Sequence, residues 1–288
     1  MRGIELATRK LARHHRRLRH RRRNARDSQT LMALNPALPP WDECRVWVIG
    51  ASTGIGAATA KALLAAGARV ALSARKAELL ADVAGGSPRA VVEALDYTDS
   101  AQVSAAWERV RSRWDGIDLV LIVAGTHAEI RAWELTEANA MALLKTNLHG
   151  VIGTCAVVLP ALLAQRHGAI GMVASVAGYR GLPKALIYGA SKAAVINFAE
   201  TLYLDLHPKG LAVYLINPGF VKTPLTAHND FKMPALITAE EAAAEIVKGL
   251  RAGKFEIHFP RRFTNTLKLL RILPYRWYFA LIRKSTGL

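Results

Sequence analysis

Two cysteines, Cys44 and Cys155, stand far apart in a chain of 288 residues. They make no disulfide framework, and a reducing compartment is their natural setting. No uninterrupted apolar run reaches the roughly 18 residues of a membrane-spanning helix. The nine histidines and the scattered acids show no metal-ligand spacing, so no metal is expected. Acids are also missing where bases crowd. Residues 1–31 hold 11 Lys/Arg against two acids, and residues 261–288 hold seven Lys/Arg and no acid. Residues 32–260 are nearly neutral, with 21 bases and 20 acids. The net charge of +17 thus belongs to the two ends and does not make the whole chain a nucleic-acid binder.

The composition, 51% hydrophobic and 21% charged, suits a sizeable core, and the length suits one large α/β domain or two small ones. Three parts are expected: a basic leader and linker over 1–40, a globular domain over 41–260 and a basic helical tail over 261–288. The Arg/His-rich leader cannot bury a core, so disorder or a solvated helix is expected. It could bind nucleic acid or an anionic membrane, or target the chain. It could also lie upstream of the working start, since Met32 opens a short lead into the fold. No apolar stretch follows its arginines, which argues against a secretory or twin-arginine signal.

After Pro36, Pro39 and Pro40, the run Arg45–Ile49 reads as a buried strand. It enters the turn Gly50-Ala51-Ser52-Thr53-Gly54-Ile55-Gly56, and a helix over Ala57–Ala66 follows. Strand, glycine turn and helix are the setting a phosphate-binding loop needs, because the helix amino terminus presents free N–H groups to a pyrophosphate. A plain glycine turn is the alternative. The next strand, Arg69–Ala74, ends with no acid to bond a ribose diol. Arg75 offers a cation there instead, which favours NADP over NAD, unless it is simply a solvated helix-start residue. Further strands are expected at Ala90–Leu95 and Asp118–Val123, with a helix over Ser100–Trp114 between them. This alternation with short connections predicts a doubly wound parallel sheet.

Tyr188 and Lys192, four residues apart, share one face of a predicted helix over Tyr188–Asp205. A lysine near a phenol favours the phenolate, so Tyr188 is a candidate acid or base for chemistry at a carbonyl or alcohol. Alone, the pair also fits a surface lysine beside a half-buried tyrosine.

Over residues 44–260 the chain resembles the single-domain short-chain dehydrogenase/reductase family. The likeness rests on ordered motifs: GASTGIG at 50–56, Asp96, Val123-Ala124-Gly125, Asn147, Ser175, the Tyr188/Lys192 pair and Asn217-Pro218-Gly219. It implies a Rossmann fold and a reaction interconverting a carbonyl and an alcohol. Gly50, Ser52, Thr53, Gly54, Ile55 and Gly56 would line the cofactor phosphates. Asp96 would bond the adenine, with Tyr97 beside it, and Ala124 and Gly125 would pass under a ribose. Pro218, Gly219, Val221 and Thr223 would meet the nicotinamide side or the phosphates. Ser175 would position the carbonyl oxygen and Tyr188 would protonate it. Lys192 would lower the Tyr188 pKa and hold ribose hydroxyls. Asn147 would sit at a helix kink and hold a water linking Lys192 to solvent. The family's usual Asn before Ala124 is Val123 here, which bears on local architecture rather than on the catalytic set.

Residues 224–238 would cover the substrate. Leu225, Phe231, Met233, Leu236 and Ile237, with Tyr179 and Leu182 opposite, suggest an apolar pocket or else ordinary loop packing. Helix 239–252 and strand 255–259 would complete the sheet. In the tail, Tyr275, Tyr278, Phe279 and Ile282 fall on one helical face. Trp277 and Leu281 widen it, among basic residues. Such a helix could lie on an anionic membrane or pack on its own domain or a second subunit. Expected partners are a small hydrophobic alcohol or ketone and a second copy, through helices near 136–166 and 188–206. Nucleic acid is disfavoured. The expected location is cytoplasmic, including the inner face of a membrane. A 3-oxoacyl thioester reductase and a non-catalytic cofactor-bound interaction protein remain the alternatives.

Overall fold

The computed structural model describes residues 33–227 and 233–287. Seven strands form one parallel sheet: β1 (Arg45–Ile49), β2 (Arg69–Ser73), β3 (Ala90–Val92), β4 (Leu119–Ile122), β5 (Ala169–Val173), β6 (Ala212–Pro218) and β7 (Glu256–Phe259). Their order is β3-β2-β1-β4-β5-β6-β7, so the winding direction reverses between β1 and β4. The helices are α1 (Gly54–Ala65), α2 (Ala77–Ala84), α3 (Ser100–Trp114), α4 (Glu137–Leu144), α5 (Gly150–Gln165), α6 (Leu186–Leu206), α7 (Ala239–Arg251), α8 (Arg261–Arg271) and α9 (Tyr275–Thr286). This is the expected doubly wound, Rossmann-type sheet.

The central strands are apolar throughout because both faces are covered. Trp47 and Ile49 of β1 join Val120 and Ile122 of β4 on the side of α3, α5 and α6. Val46 and Val48 join Leu119 and Leu121 on the side of α1 and α7. Two polar pairs lie among these strands. The Trp47 indole donates to Ser73 Oγ at 2.9 Å, and Arg45 bonds Asp118 through two guanidinium nitrogens at 2.7 and 2.8 Å. Helix starts follow local chemistry. Asp99 accepts the amides of Ala101 and Gln102 at α3, and Thr238 and Glu241 form a reciprocal capping box at α7.

Three expectations are adjusted. β3 is bounded at Val92 instead of Leu95, but Glu93 N and Leu95 N still donate to Leu72 O and Ala74 O, so the chain stays beside β2 up to the expected end. α1 begins at Gly54, three residues earlier than expected, so the glycine turn itself supplies the helix amino terminus. The proline-rich segment is also tied down. Asn35 bonds both backbone groups of Val213 in β6, and Arg251 donates to Pro39 O at 2.9 Å. The compact unit accordingly runs from Asn35 onward and includes the tail. The leader lies outside the described residues.

The helical run Glu137–Gln165 is long and apolar enough to cross a membrane by length and composition alone. It packs against α3 and α6, and its apolar side chains contribute to the core. Both cysteines are free and buried, and burial pushes each thiol up to about 12. Such thiols are poor nucleophiles.

Candidate active site

The reversal of strand order leaves a crevice at the carboxyl ends of β1 and β4, where open α/β sheets bind their ligands. It holds a cleft of about 950 Å³. Each cofactor-side residue expected from the sequence lines it, from Gly50, Ser52, Thr53, Gly54, Ile55 and Gly56 round to Pro218, Gly219, Val221 and Thr223.

Glycine is required at two of these positions. Gly50 has φ +88, and a Cβ there would stand 2.4 Å from Ala124 N. A Cβ on Gly56 would stand 2.0 Å from Gly50 O. Both clashes are with backbone, which cannot rotate away. The α1 amino terminus therefore sits directly against the end of β1. Thr53 makes no side-chain cap there, and the first turn carries no acid. Its unmet N–H groups and the helix dipole suit a phosphate. These features fit a dinucleotide.

Around the cleft, Arg75 and Lys76 follow the end of β2 and are exposed. The sequence reading missed Lys76. Asp96 accepts both the amide and the hydroxyl of Thr98, at 2.9 and 2.8 Å. These bonds, the amide first, hold its carboxyl below the usual range despite partial burial, with Arg75 and Lys145 adding to the effect. Tyr97 is buried against Gly150 and donates to Thr146 O, so its hydroxyl serves the wall.

Ser175 caps the turn after β5, its Oγ accepting Ala177 N at 3.1 Å. It also hydrogen-bonds the Tyr188 side chain. Lys192, one turn along α6, is buried and donates to Val173 O at 2.9 Å. Its Nζ lies 5.9 Å from the centre of the Tyr188 ring. Asn147 does not line the cleft. It is fully buried in a single π-helical turn, Lys145–His149, between α4 and α5, where a helix kink was expected. Its Oδ1 accepts Thr126 N at 2.8 Å, and its Nδ2 donates to Thr126 O at 2.9 Å and Ser191 Oγ at 3.2 Å. A Cβ on Gly125 would stand 3.3 Å from Lys192 Nζ and 3.4 Å from Asn147 Oδ1, so a side chain there would crowd both.

The electrostatics differ from the expectation. Lys192 does not bring Tyr188 toward neutrality. Burial raises the Tyr188 pKa, and the Ser175 bond offsets this only in part. Burial also lowers Lys192 to about 8. The physical reason is that desolvation opposes the charged form of each group. His127 is a further neighbour that the sequence reading missed. Its ring packs edge-on to Tyr188 at 4.6 Å, and burial lowers its pKa. Its only sequence signal was its place two residues after Gly125.

The expected substrate pocket is corrected. Of its named side chains among the described residues, only Leu225 lines the cleft. Tyr179 is buried and donates to Glu256 at 2.5 Å instead. Ile237 is tied to Phe220 and Lys222 by backbone bonds. Phe231 lies outside the described residues. Ala128, Ala142 and Leu143 supply the opposite wall, which the sequence reading did not include.

A glycine-walled crevice at the reversal point, leading to a buried serine and lysine and a half-buried tyrosine, defines an NAD(P)-dependent oxidoreductase. Residues 45–233 match the family model for short chain dehydrogenase. The chain belongs to that family. It is 34% identical over 242 residues to an uncharacterized oxidoreductase of Myxococcus xanthus, covering 82% of this chain and 95% of that protein. It is 31% identical over 182 residues to the 3-oxoacyl-acyl-carrier-protein reductase of Escherichia coli, covering 62% of this chain and 74% of that one. A short-chain dehydrogenase/reductase from Burkholderia phymatum in complex with NAD shares the fold, with a TM-score of 0.74 at 24% identity, over 81% of this chain and 94% of that one.

Proposed function

We propose that this oxidoreductase uses NADP to interconvert a carbonyl and an alcohol on an apolar substrate, with Tyr188 as the acid/base. The observation that carries the reading is the convergence of Ser175, Tyr188 and Lys192 on the inner end of the cleft whose outer end is the glycine turn. A bound nicotinamide dinucleotide supplies or accepts the hydride. The protein's own residues handle the proton. Ser175 Oγ and the Tyr188 hydroxyl, bonded to each other here, would both donate to a substrate oxygen that enters between them and gains negative charge as the carbonyl is reduced. The Tyr188 hydroxyl then gives up its proton to that oxygen. Its raised pKa keeps it protonated and ready to donate at neutral pH. Lys192 Nζ, fixed by Val173 O, has donors left for ribose hydroxyls and, when charged, steadies the phenolate that remains. Asn147 fixes the loop through Thr126 and the helix through Ser191, and completes the set.

The NADP preference rests on Arg75 and Lys76 at the end of β2, with no acid at that strand end. A charge-assisted pair with a 2′-phosphate contributes on the order of 1.5–3 kcal/mol. Fluorescence titration should therefore find NADPH binding at least about tenfold tighter than NADH. Arg75→Ala should remove most of that difference. Equal affinities in the parent protein would overturn the preference.

A 3-oxoacyl thioester is a second candidate substrate, favoured by the identity to the Escherichia coli reductase. A non-catalytic role is opposed by the complete serine, tyrosine, lysine and asparagine set. Association with a second copy through α5 and α6 is supported by Ile152, Leu163 and Leu204, which stand exposed on these helices.

The tail also presents Ile272, Trp277 and Phe279 to solvent, within a segment that has seven cations and no acid. This pattern suits docking on an anionic membrane surface. Full-length protein should float with anionic vesicles and not with neutral ones, and a Trp277→Ala/Phe279→Ala variant should lose most of that recovery. Equal recovery of parent and variant would remove the membrane reading.

A further inference from the structure

The inward side of the tail makes contacts that ordinary helix packing does not require. The segment after Ser175 is a short turn, Val176–Gly178, followed by Tyr179, Arg180 and Gly181. Each of the last three residues is held by the carboxy-terminal part of the chain. The Tyr179 hydroxyl donates to Glu256 Oε1, which also accepts Asn217 Nδ2 at 2.8 Å. Lys268 of α8 bonds the other oxygen of the same carboxylate. Arg180 Nη1 donates to the carbonyls of Leu270, Arg271 and Leu273, at 2.9, 3.2 and 2.6 Å. Its guanidinium lies 4.7 Å from the Tyr275 ring centre and 4.0 Å from that of Tyr278. The Tyr278 hydroxyl donates to Gly181 O at 2.7 Å.

The chemistry of these contacts is directional. The last carbonyls of a helix have no partner within it and carry the negative end of its dipole. Arg180 bonds three carbonyls at and just past the end of α8, and two aromatic rings lie close to its charge. Tyr278 is buried among the otherwise exposed aromatics of α9, so its position is set by this contact. Glu256 joins three elements: the turn after Ser175, the end of β6 before Pro218-Gly219, and α8. Burial pushes its carboxyl up, but bonds from Lys268, Tyr179 and Asn217 outweigh this and keep it ionised. On the cofactor side, Phe263 of α8 abuts Gly219 and packs on Phe220 at 5.5 Å.

The geometry points to residues 261–287 as a positioning strap: through Arg180, Glu256 and Tyr278 they hold the 179–181 segment, and with it the Ser175 turn, in the arrangement that orients substrate. The strap rests on the proposed carbonyl chemistry for its effect on rate, but not for its effect on local order. Arg180, Glu256 and Tyr278 touch neither substrate nor cofactor in this arrangement and are positioning residues.

Full-length Arg180→Ala, Arg180→Lys and Tyr278→Phe variants test the strap with two readouts. The first is amide hydrogen exchange over residues 176–184. Loss of the Arg180 bonds should raise exchange there by about tenfold, with residues 50–56 unchanged. The second is the split of kinetic constants. Arg180→Ala should lower kcat/KM by about tenfold or more. NADPH affinity should stay within about twofold of the parent, because Arg180 is remote from the glycine turn. Arg180→Lys, which keeps the charge but has a single donor nitrogen and no planar face to stack, should fall between. Tyr278→Phe should raise exchange by about threefold, and it decides the question should Arg180→Ala not fold. Exchange over 176–184 within twofold of the parent in folded Arg180→Ala, or in Tyr278→Phe if that is the only folded variant, would overturn the strap. If the parent protein reduces no carbonyl, the proposed function fails. The exchange readout still decides the strap.

Discussion

Tyr188→Phe is expected to lower kcat by about 10³-fold or more, the range over which a positioned proton donor acts. Cofactor affinity should stay within about twofold, because the ring and its packing against His127 survive the loss of one oxygen. The size of the effect follows from placement. The Tyr188 hydroxyl is the proton donor set at the developing alkoxide, and Ser175 can hydrogen-bond that oxygen but has an ordinary hydroxyl to offer. The Lys192 charge would then face the alkoxide with no phenol between them. Steady-state kinetics with NADPH consumption as the signal measure kcat, and nucleotide titration measures binding. A Tyr188→Phe enzyme turning over at the parent rate would remove Tyr188 from the chemistry.

Gly56→Ala is the second large expected effect, and it acts on binding. The new methyl would stand 2.0 Å from Gly50 O. Neither group can rotate aside, so α1 must back away from the end of β1. Overpacking of this kind costs about 1–3 kcal/mol of stability. The same shift carries the first-turn N–H groups away from where a pyrophosphate would sit. NADPH affinity should fall by at least about 100-fold, with Tm lowered by several degrees. Calorimetric titration and thermal melts measure the two. An unchanged affinity would mean that the phosphates lie elsewhere.

Much of this architecture was legible in the sequence, because parallel strands buried on both faces must be continuous apolar runs. Arg45–Ile49 and Ala169–Val173 could hardly be anything else. The glycine turn and the Tyr188/Lys192 spacing were legible because each is set by local backbone geometry. What failed was direction and environment. The sequence leaves Tyr179 between a pocket wall and ordinary packing; in the fold its hydroxyl meets Glu256, 77 residues on. Arg180 gave no signal, because the carbonyls it bonds lie about 90 residues downstream. The Tyr188 pKa went the other way from the expectation because four-residue spacing shows that a lysine is near and says nothing of burial. The tail aromatics were grouped on one face by helical spacing. In the fold, Tyr278 turns inward while Tyr275, Trp277 and Phe279 stay exposed, since the Tyr278 hydroxyl reaches Gly181 O and its ring lies over Arg180.

Hydride transfer itself tests the central claim most directly. NADPH deuterated at its transferable position would be incubated with the full-length protein and a panel of hydrophobic ketones and 3-oxoacyl thioesters, and the products read by mass spectrometry. Deuterium on the new carbinol carbon of at least one product, absent when Tyr188→Phe replaces the parent protein, is the expected result. A parent protein that binds NADPH in this cleft and transfers no deuterium to any carbonyl in the panel would contradict the account.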